Sequence, residues 1–204
     1  MGFYSQVILP NLLDWTMSNP RFSAYRQQVL SEVSGEVLEI GFGTGLNLLH
    51  YPESLEKITT IDANAGMNAK AKKRIQASKI QVDNRVLNGE NLPMTDNHFD
   101  SVVSTWTLCS IANVEQALKE IHRVLKPEGR FFFIEHGLSD EPNVRVWQHR
   151  LTPLQKVLGD GCHLNRNIEQ LVQNQFQSLT LEKFYVPKTP KIGAYMYKGI
   201  ATKT

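Results

Sequence analysis

The sequence predicts an α/β domain built on a seven-stranded, mostly parallel sheet with an antiparallel last member and helices on both faces. Three observations carry this. Short apolar runs alternate with helix-length amphipathic segments from residue 36 to residue 136, as repeated βα units do. The runs "EVLEI" and "RFFFIEH" are rich enough in apolar residues to lie buried, the second between two layers of helices. Two strand-like segments, "SLTLEKFYVP" and "GAYMYKGIAT", then close the chain as a terminal pair.

In order along the chain, the N-terminal segments ending near Leu30 are expected as helices over the carboxyl edge of the sheet. Glu36–Ile40 is the first strand, and "GLNLLHY" begins a helix near Gly45. Ile58–Asp62 is the second strand, followed by the helix "AGMNAKAKKRIQA". Asn84–Gly89 is the third, ending in the loop "ENLPMTDNH", and Phe99–Trp106 is the fourth. In "NVEQALKEIHRVL" the apolar residues Val114, Leu118, Ile121, Val124 and Leu125 recur at helical spacing, with Asn113 as N-cap and Pro127 and Gly129 as the stop. Arg130–His136 is the fifth strand. Two helical stretches split by "GDGCHLNR" precede the terminal pair.

Composition narrows the function classes. With 41% hydrophobic and 21% charged residues, the chain has the makeup of a soluble globular protein with a sizeable core. A formal charge of +2 makes no electrostatic case for nucleic acid, and no apolar run approaches the ~20 residues that span a bilayer. The basic run Lys70–Arg74 reads as a solvated helix face. The opening "MGFYSQVILPNLLDW" lacks the basic and long apolar regions of a secretory signal, and Gln6 stands where an acylated Gly2 needs a hydroxyl-bearing residue. Cys109 and Cys162 lie in unrelated contexts without C-x-x-C spacing. That speaks against a zinc site or a disulfide framework and suits a reducing cytoplasm, so no metal is expected.

The chemistry concentrates in "VLEIGFGTGLN", Val37 to Asn47. Glycines after a first strand let the backbone approach a ligand closely, and the helix start that follows offers free N–H groups. Asp62 ends the second strand, where a carboxylate can accept from both hydroxyls of a ribose. These features fit NAD and S-adenosylmethionine alike. The loop, however, is G-F-G-T-G rather than G-x-G-x-x-G, so the third glycine of a dinucleotide loop is missing. Glu39, two residues before Gly41, would repel a pyrophosphate but suits the ammonium of an amino acid, directly or through water.

From Val37 to His136 the chain resembles the core of the class I S-adenosylmethionine-dependent methyltransferases, enzymes of Rossmann-like fold. The resemblance rests on the glycine loop and on the ordered set of polar loop, Leu-Pro, Phe-Asp, strand, helix, Leu-Lys-Pro-x-Gly and strand. It implies a first cofactor motif of Glu39, Gly41, Phe42, Gly43 and Gly45, and a ribose-binding acid at Asp62. It further implies that Ala63 and Met67 flank the adenine and that Asn88, Gly89 and Glu90 meet its edge. Asn88 stands at a position often acidic in the family, keeping an acceptor without the charge. Thr105 and Trp106 match the strand end where methyl donor and acceptor meet.

More narrowly, "TWTLCSIANVEQALKEIHRVLKPEGRFFFIEH" and "GDGCHLNR" are similar to the alkyl-thiol S-methyltransferases. Asp160, Gly161, Cys162, Leu164 and Arg166 carry the match, with Trp147 and Gln148 before them. That group usually has an N-terminal membrane anchor, which this sequence lacks, so no stable membrane insertion is expected. The resemblance implies one methyltransferase domain over 1–204: a helical cover (1–32), a cofactor core (33–136), a helical substrate lid (137–175) and a strand pair (176–204). The expected cofactor product is S-adenosylhomocysteine. The expected partner is a small, largely apolar acceptor, foremost a thiol, and the expected state a cytoplasmic monomer or weak homodimer. C- or O-methylation of a quinol or phenol and N-methylation of a phospholipid stay open.

A thiol ionises partly near neutral pH and needs little base assistance, whereas a quinol carbon or a hydroxyl needs a dedicated base. His136, at the end of the fifth strand, is the best-placed candidate, ahead of His149 and His163. Tyr4, Trp106 and Trp147 are candidates for an apolar acceptor pocket, with Cys109, His136 and His163 as further substrate contacts. Asp160 and Arg166 either pair to hold the lid or meet substrate.

Overall fold

The computed structural model describes residues 2–204. A π-type turn (Tyr4–Ile8) runs into α1 (Leu9–Met17), and α2 (Pro20–Leu30) follows. Asn19 starts α2 by accepting from the Arg21 N–H at 3.1 Å, and Pro20 occupies the first turn, where its missing N–H costs nothing.

Seven strands make one sheet: β1 (Val37–Ile40), β2 (Lys57–Asp62), β3 (Gln81–Val86), β4 (Phe99–Thr105), β5 (Leu125–His136), β6 (Ser178–Tyr185) and β7 (Tyr195–Thr202). Their order is β3-β2-β1-β4-β5-β7-β6, with β7 antiparallel to both neighbours and the other pairings parallel. The helices α3 (Ala65–Ala77), α4 (Val114–Val124), α5 (Pro142–Leu158), α6 (Ile168–Gln173) and α7 (Lys191–Ala194) complete the chain. Strand order reverses between β1 and β4, which opens a crevice at their carboxyl ends.

The apolar run in β5 is explained by two covered faces. Phe131 and Phe133 pack with Leu118, Ile121 and Val124 on one side, while Phe132 and Ile134 pack with Leu30 and Val103 on the other. Among the described residues no helix is long and apolar enough to cross a membrane.

Three elements differ from expectation. The helix after the glycine loop is a single 3₁₀ turn, Leu46–Leu49; Pro52 bars the α conformation at Tyr51, and the buried Asn47 side chain is committed to Glu39 and Thr105. The third strand starts earlier and ends at Val86, so that Asn88 and Gly89 leave the sheet and line the crevice. Pro127 and Gly129 do not stop α4. That helix ends where Leu125 turns extended, and the two residues lie in β5, where the register with β4 shifts between Phe99 and Ser101.

Candidate functional site

The crevice is a cleft of about 630 Å³, within the range of small-molecule sites. Its floor is the loop after β1, and Leu9, Leu13 and Met17 of the N-terminal cover line it as well. Asp14 ties that cover down, accepting from Thr44 Oγ1 at 2.6 Å and Arg74 Nη1 at 2.7 Å. Asn64 Nδ2 donates to the Ser5 carbonyl at 2.9 Å, and Ser5 Oγ donates to Asp160 at 2.9 Å. Asp14→Ala is expected to speed amide hydrogen exchange across residues 4–17 while the strands keep their protection; unchanged exchange there would show that Asp14 does not hold the cover.

Glycine is required twice at the floor. Gly41 has φ +77°, and a Cβ there would sit 1.9 Å from Thr107 Oγ1. Gly43 has φ +57°, but a Cβ would meet nothing nearer than the Gly41 carbonyl at 3.9 Å and would stand in the cleft. Gly45 closes the turn by donating to the Phe42 carbonyl at 3.0 Å, and does not reach the cleft wall; Phe42 does. Asp62 accepts from the Gly43 N–H and from the Asn64 N–H, each at 2.8 Å, and burial raises its pKa. One carboxylate thus locks the glycine loop to β2, and each oxygen keeps a further lone pair for a ligand hydroxyl.

Glu39 lies beneath this floor rather than on the cleft surface. It is 1% exposed, and it accepts from Asn47 Nδ2 at 2.8 Å and from the Tyr51 hydroxyl at 2.7 Å. Burial pushes its pKa up to about 7, against the lowering effect of those bonds and of Arg26. Asn47 is the link to the cleft, which it lines while bonding both Glu39 and Thr105.

Around Thr105 and Trp106 the cleft wall is polar and incompletely paired. Trp106 sits in the left-handed region at φ +52°. Its ring meets Phe22 edge-on at 5.4 Å and carries the Arg26 guanidinium 4.8 Å from its centroid. Among the described residues the Trp106 indole N–H, Arg26 Nε and Asn47 Oδ1 are buried without partners. Two donors and one acceptor thus await a ligand with both anionic and cationic groups, which an amino-acid end supplies. Burial lowers the Arg26 pKa to about 10, leaving it charged. Nothing in the local sequence around Arg26 marks it; α2 delivers it across the cleft edge only in the folded chain.

The opposite end has Ala63, Met67 and the Asn88–Glu90 loop on its walls. Asn88 Oδ1 accepts from the Glu90 N–H at 3.0 Å, and Glu90 in turn accepts from the Asn113 N–H at 3.0 Å, which fixes the loop. The apolar side chains and amide-rich loop suit a flat heterocycle. The cleft thus combines a carboxylate with free lone pairs, an apolar slot and a set of unpartnered polar atoms.

Cys109, His136 and Cys162 also line the cleft, with His136 Nε2 3.0 Å from Cys162 Sγ. Burial lowers the His136 pKa, but the Cys162 thiol and the Glu135 carboxylate outweigh it and raise it overall. A hydrogen bond with Cys109, together with burial, pushes the Cys162 thiol well up. Glu135, not singled out by its sequence position, is fully buried. Its Oε1 accepts from Ser104 Oγ and from the Thr107 and Leu108 N–H groups at 2.9–3.0 Å, pinning the loop that bears Cys109.

Of the other sequence candidates, Asp160 lines the cleft, while Tyr4, Trp147, His149, His163 and Arg166 stand apart from it. Tyr4 is exposed and donates to the Leu158 carbonyl at 2.7 Å. Trp147 is 52% exposed on α5, with Arg150 5.5 Å from its ring. His149 and His163 border a separate outer depression. Asp160 and Arg166 do not pair: Asp160 accepts from Ser5, while Arg166 donates to the Leu108 and Ile111 carbonyls.

A family profile described as "Methyltransferase domain" matches residues 38–133. Thiol S-methyltransferase TMT1A of Homo sapiens is 36% identical over 172 residues, covering 82% of this chain and 70% of that protein. Thiol S-methyltransferase TMT1B of Rattus norvegicus is 36% identical over 160 residues, and the match covers 75% of this chain and 65% of the relative, just under two thirds of its length. Among solved structures, a SAM-dependent methyltransferase of Thermotoga maritima, described as a possible histamine N-methyltransferase, superposes with a TM-score of 0.70. It is 19% identical and covers 98% of each chain, a likeness of fold.

Proposed function

Since this chain belongs to the thiol S-methyltransferases, a family of class I S-adenosylmethionine-dependent methyltransferases, we propose that it methylates the sulfur of a small, largely apolar thiol. The observation that carries the reading is the pair of unpartnered donors, Trp106 Nε1 and Arg26 Nε, with the unpartnered acceptor Asn47 Oδ1, in the cleft that Asp62 and Gly43 floor.

S-adenosylmethionine, when bound, supplies a methyl group on a positively charged sulfur. The chain's part is to hold and to dry. Asp62 takes the ribose hydroxyls with its remaining lone pairs. Ala63, Met67 and the Asn88–Glu90 loop take the base. Arg26 and Trp106 donate to the amino-acid carboxylate. Asn47 accepts from the ammonium, with the Glu39 charge behind it favouring a cation. The apolar cover from α1 keeps water from the reacting sulfur.

A thiol acceptor enters beside Cys109 and His136 and needs positioning more than base strength. His136 stands where a proton could be taken, the role a quinol or phenol acceptor would require. Calorimetry with S-adenosylhomocysteine and methylation assays on hydrogen sulfide, alkyl thiols and a quinol analogue test the reading. Product binding and thiol turnover are expected. No binding at millimolar ligand would defeat it, and turnover of the quinol alone would replace the acceptor.

A further inference from the structure

We propose that Cys109, His136 and Cys162 form a zinc site with an open fourth position that receives the sulfur of the acceptor thiol. The proposal rests on the thiol reading above and deepens it. The residues come from three places in the chain: the loop after β4, the end of β5, and the turn between α5 and α6. Their donor atoms all lie within 4.8 Å of one another, and all three line the cleft.

The donor chemistry selects the ion. Two sulfurs and an imidazole are soft to borderline ligands, which favour zinc over magnesium or calcium. Tetrahedral zinc, with bonds of about 2.3 Å to sulfur and about 2.0 Å to nitrogen, needs donors roughly 3.6–3.8 Å apart. The observed spread, from 3.0 Å between His136 Nε2 and Cys162 Sγ up to 4.8 Å, brackets that separation. Three protein ligands and one free position are the pattern of a reactive zinc rather than a structural one, which is closed by four.

The frame around the donors is built to hold them. Arg166 clamps the Leu108 and Ile111 carbonyls. The His163 N–H donates to the Cys109 carbonyl at 2.8 Å, and the Cys162 N–H to the Gly159 carbonyl at 3.1 Å. Gly161 has φ +93°, and a Cβ there would come 3.0 Å from the Ser110 carbonyl, so the turn bearing Cys162 rests directly on the loop bearing Cys109. Glu135 pins the other end of that loop through Thr107 and Leu108. Bonds of this kind, beyond the ligands themselves, fix ligand orientation.

The chemistry balances. Two cysteine thiolates neutralise the charge of Zn²⁺, their protons leaving to water. The acceptor thiol loses its proton to water as it takes the fourth position. A lone pair of its sulfur then forms the new S–CH₃ bond as the donor's S–CH₃ bond breaks, that bonding pair staying on the departing thioether, S-adenosylhomocysteine. The methylated product is a neutral thioether, a poorer ligand than the thiolate, and leaves the metal.

The test is a titration of the reduced, chelator-treated full chain with Co²⁺ and then Zn²⁺. One equivalent of Co²⁺ is expected to give a sulfur-to-cobalt charge-transfer band and the visible bands of a tetrahedral site, bleached by Zn²⁺. A small alkyl thiol should shift the visible bands. Cys162→Ser and the volume-conserving His136→Gln should each weaken metal binding by at least about 100-fold. If no single tight equivalent binds, or if both variants that fold bind as wild type does, the site does not exist. An unshifted spectrum with thiol would remove the open position. S-adenosylhomocysteine binding, measured on the same metal-free sample, separates failure of this site from failure of the methyltransferase reading.

Discussion

Gly43→Ala is expected to weaken S-adenosylhomocysteine binding by at least 100-fold while the protein still folds. A left-handed φ costs a non-glycine residue about 1–2 kcal/mol, or roughly 2–8 °C of Tm in a chain of this size. The added methyl would meet only open cleft, with the nearest atom 3.9 Å away. The folded protein tolerates it, and the space for the nucleoside does not. Hundredfold is about 2.7 kcal/mol, well beyond the weakening that a small shift of the loop would bring. Gly41→Ala is the contrasting control, because its Cβ would overlap Thr107 and disturb the fold itself. Calorimetry and a thermal melt on the two variants separate the effects. Wild-type affinity in Gly43→Ala would remove the glycine loop from the cofactor site.

Glu39→Gln is expected to raise stability and lower cofactor affinity together. Burial raises the Glu39 pKa from 4.5 to about 7 in the folded chain. A raised folded pKa means that the native state holds the proton more tightly than the unfolded state. The wild type therefore loses stability as pH climbs from about 4.5 through about 7, and stays level above that. The span corresponds to roughly 3 kcal/mol at most. Glutamine is neutral, so the variant should match wild type at low pH and melt several degrees higher at pH 8. A cationic ligand favours the ionised carboxylate, so wild-type affinity should climb with pH up to about 7 and then level. In Glu39→Gln that climb should vanish and affinity at pH 8 should fall about tenfold, the loss of one charge partner. A variant that is destabilised at pH 8 but binds normally would make Glu39 a purely structural acceptor for Asn47 and Tyr51.

The legible parts of the fold were those with local signatures. Asn113 caps α4 as its sequence position suggests, accepting from the Gln116 N–H at 3.1 Å. The run "RFFFIEH" is buried on both faces, and the terminal strands pair antiparallel. The helix expected after Gly45 failed because the pattern "GLNLLHY" reports apolar content but not the commitment of Asn47 to a buried carboxylate. At the site, the glycine loop and Asp62 are neighbours as their spacing implies, since adjacent parallel strands bring their carboxyl ends together. Trp147 and His163 share sequence neighbourhood with Cys162, yet a helix face and a turn point them elsewhere.

By itself the sequence determined the sheet, its two covered faces, the glycine turn and the acid beside it. Each is encoded in periodicity or short spacing, and so is set by steric and burial preferences that act within a few residues. The tertiary structure alone decided that Glu39 lies under the cleft rather than in it, and that Arg26 reaches across to Trp106. It alone brought Cys109 to Cys162 and His136, residues on separate elements. Such convergence depends on strand order and on the paths of loops, and no spacing along the chain records either.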